Sequence, residues 1–226
     1  IGGKTIAYYF IKLALKNLKH VITANKAVIS DYFEELTTLA STNNVSIRYE
    51  ASVGGGIIVL NTLTNLVSVN PITEISGIIN GSTNFILTKI FKDDLSYPEA
   101  FQLALQKGFI ETGSTDDMDG LDLMRKINIL SMISYHQYID EKDIITVSLS
   151  TLSNKLYDYA KSIHKVIKYM AFSSFNENDI KREGPYRRFF DTTGFWKRDS
   201  ESFINLTKNN VGYADRALGF TNMSDR

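Results

Sequence analysis

Apolar residues return every three or four positions over residues 4–18: Ile6, Phe10, Ile11, Leu13, Leu15 and Leu18. That period predicts an amphipathic helix. "KHVITAN" (19–25) reads as a short buried strand. A second helical period over about 27–40 carries Val28, Ile29, Phe33, Leu36 and Leu39, and "VSIRYEA" (45–51) alternates like a strand. This αβαβ order with short links is the closing part of a parallel, doubly wound α/β sheet. "SVGGGIIVLNTL" (52–63) is a Gly-rich turn running into an apolar segment. Residues 72–90, "ITEISGIINGSTNFILTKI", read as strand, polar turn and helix. Ser96 and Glu99 have the spacing of a capping box. The helix they start is expected to reach Lys107 and stop at Gly108. A long helix is predicted over roughly 119–136 and a strand over 143–152. A helix and then a strand are predicted over 155–172. Beyond Ile180 the pattern decays into charge, glycine and scattered aromatics.

On the long helix, Asp122, Lys126, Ile129 and Ile133 share one face, flanked by Leu123, Ile127, Leu130 and Ser134. That face is the expected apolar stripe, and Asp122 and Lys126 are its charged exceptions. They stand four apart with the acid first, the favourable order for an ion pair. An ammonium drawn into apolar surroundings loses hydration, which lowers its proton affinity, and the neighbouring carboxylate opposes that. The plain alternative is a lysine that snorkels to water beside its i,i+4 partner. The loop before the helix favours function. Glu111, Asp116, Asp117, Asp119 and Asp122 place five carboxylates within twelve positions. Each gains from the helix dipole, but together they repel unless a cation or ammonium group sits among them. A substrate bearing an ammonium group completes that balance.

Composition narrows the field. The chain has 226 residues, 43% hydrophobic and 22% charged, in the ordinary range for a globular chain. Formal net charge is zero, so no global field favours nucleic acid or anionic membrane. No cysteine is present, which excludes disulfide and thiolate chemistry. No apolar run approaches the ~20 residues of a membrane span. The opening "IGGKTIAYYF" lacks an initiator Met and the pattern of a secretion signal, so the chain is expected to begin inside a longer protein.

Several motif look-alikes fail. Around "TDDMDG" an EF-hand loop would need acids where Thr115 and Lys126 stand. "GFIETGST" has P-loop glycine spacing but Ser114 in place of the lysine, and "GGG" at 54–56 lacks the G-x-G-x-x-G spacing. His20, His136 and His164 lack metal-ligand spacing and read as surface or boundary residues. There is no G-x-S-x-G elbow of a serine hydrolase.

"VITANKAVIS", "YEASVGGGI", "GIINGSTNFIL" and "GFIE…DDMDGLDLMRK" follow the order and spacing of homoserine dehydrogenases. The chain resembles that family over roughly residues 1–170. The resemblance implies a remnant of a doubly wound Rossmann-type domain followed by a mixed αβ catalytic and dimerisation domain. Its divisions are 1–49 (the C-terminal part of the nucleotide-binding domain), 50–180 (the catalytic domain) and 181–226 (an unassigned tail). It implies a cytoplasmic, homodimeric oxidoreductase that interconverts L-homoserine and L-aspartate 4-semialdehyde with NAD(P), on the route to threonine and methionine. It implies no nucleic-acid or membrane partner.

Carried over by position, Lys126 and Asp122 match the catalytic pair. Lys26 matches a lysine beside the nicotinamide and the reacting oxygen, and with Thr23 and Ala24 it marks the cofactor-binding stretch. Which lysine accepts the proton stays open. Glu111 and Asp117 match the acids that hold the substrate's amino group, and Gly81 and Ser82 match a turn at the substrate. Glu50 with the carbonyls of Val53, Gly55 and Ile57 resembles the family's monovalent cation site, for sodium or potassium.

Three departures accompany the match. The family's Gly-rich cofactor loop lies outside these residues, Thr112-Gly113-Ser114 replace an acidic Pro-containing run, and residues 181–226 do not resemble the family's ending. The tail's Arg187, Arg188, Phe189, Phe190 and Trp196 carry a weak echo of single-strand nucleic-acid stacking, offset by Asp191, Asp199 and Glu201. Two readings therefore stand at this point. One is an active dehydrogenase. The other is a truncated or degenerate module, folded and dimerising, without cofactor binding.

Overall fold

The structure is a computed structural model that describes residues 3–110, 113, 115–152, 154–175, 190–192 and 220–222. Glu111, Thr112 and Ser114, and most of the tail including Arg187, Arg188, Phe189 and Trp196, lie outside the described residues. The chain divides into two units. The first is Ile1–Ile75 with Arg125–Ile144 and Ser174–Phe189; the second is Ser76–Met124 with Ile145–Ser173 and Phe190–Arg226. Among the described residues no helix is long and apolar enough to cross a membrane.

In the first unit the order is α1 (Thr5–Lys16), β1 (Val21–Ile22), α2 (Lys26–Thr42), β2 (Ile47–Arg48) and α3 (Leu60–Val67). β1 and β2 are parallel, in register Val21↔Ile47 and Ile22↔Arg48. Parallel neighbours need a crossover, and α2 supplies it. The apolar period of α1 and α2 closes a core of Ala7, Ile11, Leu15, Val28, Leu36 and Ala40. The expected α/β class is present. The expected strand over 45–51 is shorter: Tyr49 has φ −140° and ψ 25°, and a 3₁₀ turn follows at Glu50–Ser52. The Gly-rich segment then feeds α3.

The second unit contains half of β3 (Glu74–Gly77) and most of β6 (Ala171–Ser174), with α4 (Gly81–Lys92), α5 (Tyr97–Gln106), β4 (Ile145–Thr146), α7 (Asn154–Ser162) and β5 (Lys165–Ile167). α5 starts on the expected capping box, with Glu99 taking the Ser96 N–H and hydroxyl. Gly108 follows it in the left-handed region at φ +72°. The predicted strand over 143–152 shrinks to two residues. Ser148 instead caps a 3₁₀ turn at Leu149–Thr151, because a serine hydroxyl competes locally for backbone bonds. After α7 come two strands where one was expected. In the unassigned tail, β7 (Phe190–Thr192) and β8 (Phe220–Asn222) are formed. The four-stranded sheet runs β3-β6-β7-β4, and β5 pairs antiparallel with β8.

The long helix α6 (Leu121–Tyr135) passes from the second unit into the first. It departs from the one-sided stripe expected for it. Every residue from Ile127 to Tyr135 is buried, including Asn128, Ser131 and Ser134. Asn128 sits inside the first unit by donating to Ser30 Oγ at 3.0 Å and to the Ile139 carbonyl at 3.3 Å. A helix buried on all sides carries little amphipathic signal.

Candidate active site

The second unit gathers Asn80, Ser82, Asp117 and Asp122. Asn80 is the N-cap of α4, held in extended backbone at φ −125° and ψ 118°. Its Oδ1 accepts the Thr83 N–H and the Thr83 hydroxyl, each at 2.8 Å. A backbone N–H can only donate, so that bond decides which end of the amide faces the helix. The other end, Nδ2, donates to Asp117 Oδ1 at 2.7 Å and to Asp122 Oδ2 at 2.9 Å. Both hydrogens and both lone pairs of the amide are then used. Asn80 is 3% exposed and Asp122 5%, so these bonds lie in a weakly screening environment. Bonds from a donor to an ionised acceptor are the stronger kind.

Ser82 adds a second tie on Asp117. Its hydroxyl lies 2.9 Å from Asp117 Oδ2 and 2.6 Å from the Phe109 carbonyl, so one proton serves two acceptors. Gly81 opens α4 beside it, with no heavy atom near the position a Cβ would take.

Asp122 stands in the first turn of α6, where the helix dipole favours a carboxylate. The acid loop is pinned from behind by backbone bonds. Asp122 N–H reaches the Asp116 carbonyl at 3.2 Å, and the Met118 carbonyl accepts from Leu149 N–H at 2.7 Å and Ser148 Oγ at 3.0 Å. Gly120 ends the loop at φ +80°, and a Cβ there would lie 2.5 Å from Tyr169 Oη and 2.7 Å from Thr146 Cγ2. Tyr97 borders the loop, its hydroxyl on Met118 Sδ at 3.6 Å. Burial raises this phenol's pKa, and the Asp119 carboxylate adds to the rise.

Apart from Glu111, which lies outside the described residues, the other expected site residues belong to the first unit. Thr23 follows β1, its N–H bonded to the Arg48 carbonyl at 2.8 Å and its Oγ1 accepting the Asn25 N–H at 3.1 Å. Ala24 is exposed, and half-buried Lys26 begins α2 behind the Asn25 cap. Lys126 is half-buried on α6. The cation segment shows the left-handed turn that glycine permits, with Gly54 at φ +78° and Gly55 at φ +59°. Both Glu50 carboxylate oxygens are occupied by helix α3: Oε1 by Leu60 N–H and Oε2 by Asn61 N–H, each at 2.9 Å. Val53 is buried, while Gly55 and Ile57 are exposed. A cavity of about 500 Å³ lies alongside, lined by Arg48, Tyr49, Glu50, Ile58, Leu60 and Asn61. Burial raises the Tyr49 phenol, against the opposing pull of Arg48.

Asn80 is not among the residues the sequence motifs single out; the signal that marks it is an N-cap asparagine directly before a helix, next to Gly81 and Ser82. Asp117 and Asp122, which the motifs do single out, meet on its amide. His20, His136 and His164 are exposed, as expected of surface residues.

Comparisons with known proteins point to one family. A family model described as homoserine dehydrogenase matches residues 59–186. The homoserine dehydrogenase of Bacillus subtilis is 35% identical over 181 residues, covering 80% of this chain and 42% of that protein. The crystal structure of a homoserine dehydrogenase from Thiobacillus denitrificans superposes with a TM-score of 0.74 at 31% identity, over 79% of this chain and 41% of that one. A hyperthermophilic archaeal homoserine dehydrogenase in complex with NADPH superposes with a TM-score of 0.66 at 26% identity, over 77% of this chain and 51% of that one. The chain thus spans about half or less of the length of these relatives. With its motifs, its α/β fold and these matches in accord, the chain belongs to the homoserine dehydrogenase family.

Proposed function

We propose that this chain carries the substrate-handling part of an NAD(P)-dependent homoserine dehydrogenase, which interconverts L-homoserine and L-aspartate 4-semialdehyde. In this reading residues 50–180 form the catalytic domain, residues 1–49 complete a nucleotide-binding domain, and two copies pair. The single observation that carries it is the pair of carboxylates, Asp117 and Asp122, tied to one buried asparagine at the starts of α4 and α6. That is a concentration of negative charge that suits a small cationic group.

Homoserine presents an ammonium, a carboxylate and a primary alcohol. Asp117, with Glu111, takes the ammonium. Asp122 and Lys126 act at the alcohol, and Lys26 lies by the reacting oxygen. Oxidation removes the hydroxyl proton as hydride leaves carbon, and a lysine amine accepts that proton or relays it. A lysine left protonated stabilises developing alkoxide charge. The dinucleotide, when bound, receives the hydride. The residues present fit one end of it: Thr23 and exposed Ala24 form a small, open surface at a strand end, with Lys26 at the next helix start.

Neutral carbonyls of Val53, Gly55 and Ile57, beside a Glu50 carboxylate that also accepts two N–H groups of α3, suit a weakly held monovalent ion. A pathway position on the route to threonine and methionine follows from the same reading. The test is reduction of NAD(P) by L-homoserine with the full-length protein that contains these residues. Turnover dependent on homoserine supports the reading; its absence under a range of sodium and potassium concentrations overturns it.

A further inference from the structure

We infer that Asn80 is a positioning residue: its amide holds Asp117 and Asp122 side by side and fixes the spacing between the ammonium-binding acid and the acid of the catalytic pair. The inference rests on the function proposed above, and it adds a residue that the family motifs as read from sequence did not assign.

The geometry is over-determined. Four hydrogen bonds meet on one side-chain amide. Two of them, from the Thr83 N–H and hydroxyl, are those of a helix cap and fix the amide's orientation. The other two reach acids 37 and 42 residues further along the chain. A simple N-cap needs only an acceptor, and Asp or Ser serves that purpose as well as Asn. The acids require more. Two carboxylates on one point repel each other unless donors stand between them, and a neutral NH₂ supplies two without adding a charge. Lysine in that place would neutralise the charge that an ammonium group is to meet. Asparagine is the side chain that caps α4 with one end and bridges two anions with the other. Ser82, on the same first turn, holds the remaining oxygen of Asp117. The start of α4 therefore sets the position of both acids.

Two substitutions separate capping from bridging. Asn80→Ser keeps an oxygen for Thr83 but has too short a reach and too few donors for two acids. Asn80→Asp keeps the cap and turns both bridging contacts into carboxylate against carboxylate. If Asn80 only caps, both variants keep wild-type turnover. If it positions the acids, Asn80→Ser lowers kcat/KM on the order of 10–100-fold, the worth of a hydrogen bond to a charged group. That loss divides between a raised KM, from Asp117, and a lowered kcat, from Asp122. Asn80→Asp loses more than Asn80→Ser, although it is the closer isostere. The full-length protein is assayed with homoserine and NAD(P), with thermal melting recorded for each variant. Wild-type kcat/KM in both variants overturns the inference and leaves the functional reading intact; an inactive wild type overturns that reading instead. Crystal structures of wild type and Asn80→Ser supply a readout that needs no activity. Displaced Asp117 or Asp122 carboxylates support the bridge, and unchanged ones refute it.

Discussion

Lys126 and Gly120 are single residues whose substitution is expected to act in different ways. Lys126 is half-buried on a helix whose next nine residues are all buried. Lys126→Ala removes the group and leaves the helix backbone in its best-tolerated residue. Turnover of the full-length enzyme is expected to fall by roughly 100-fold or more, the usual worth of a positioned acid or base. Its melting temperature should stay close to that of wild type. Unchanged turnover in that variant removes Lys126 from the mechanism. Gly120 acts through space alone. It combines φ +80° with a Cβ position closed off by Tyr169 Oη, Thr146 Cγ2 and the Val147 carbonyl. Gly120→Ala is expected to cost about 2–5 kcal/mol in denaturant unfolding, adding left-handed strain to overpacking. Turnover should fall as well, because the acid loop shifts. Sequence could place the acids of this loop and the lysine because charge in an apolar period stands out. It could not rank Asn80, whose partners lie 37 and 42 positions away. Nor could it show that Gly120 meets Tyr169, which comes forty-nine residues later.

Among the elements, legibility follows how local the determining forces are. The start of α5 is written in four consecutive residues, and the capping box appears there as expected. The strand expected over 143–152 is only Ile145–Thr146, because Ser148 starts a 3₁₀ turn in the rest of it. The stripe on α6 failed for the opposite reason. Asn128 is buried there by pairing with Ser30 across ninety-eight positions, and pairing of that kind leaves no periodic trace. Tyr157 on α7 belongs to the same category of hidden polarity. Its ring meets Phe91 of α4 edge-on at 6.0 Å, and its buried hydroxyl has no hydrogen-bond partner among the described residues. Burial pushes its phenol upward, with Tyr97 adding to the shift. A raised phenol pKa stabilises the fold below the unfolded value of about 10 and gives up that stability as pH climbs past it. Tyr157→Phe should therefore gain about 1 kcal/mol at neutral pH, by removing an unsatisfied hydroxyl. It should also flatten the alkaline fall of stability above about pH 10. Denaturant unfolding at neutral and alkaline pH measures both effects. A destabilised Tyr157→Phe would mean that the hydroxyl has a partner after all.

At the scale of the whole molecule, the two units carry different parts of the proposed chemistry. The acids are anchored in the second, while Thr23, Ala24 and Lys26 lie at the strand and helix ends of the first. Dinucleotides are held chiefly by their pyrophosphate, on backbone N–H groups at a Gly-rich turn and helix start. Residues 1–226 contain no G-x-G-x-x-G, and 25 basic against 25 acidic residues leave no net field to draw a polyanion. In the proposed reading the stretch at Thr23 to Lys26 meets only the nicotinamide end, and one ring's contacts do not offset the cost of immobilising the cofactor. The 226-residue chain by itself is therefore expected to bind NAD(P) with a Kd weaker than roughly 100 µM, where the available free energy falls below about 5.5 kcal/mol. Titration calorimetry with NADP and NAD, in sodium and in potassium buffers, measures this directly. Micromolar affinity would require a phosphate site within these residues, with Lys26 and the N–H groups at the start of α2 the first place to look for it. Weak binding here, beside tight binding by the full-length protein, would divide the reaction's two ligands between residues inside this chain and residues beyond it.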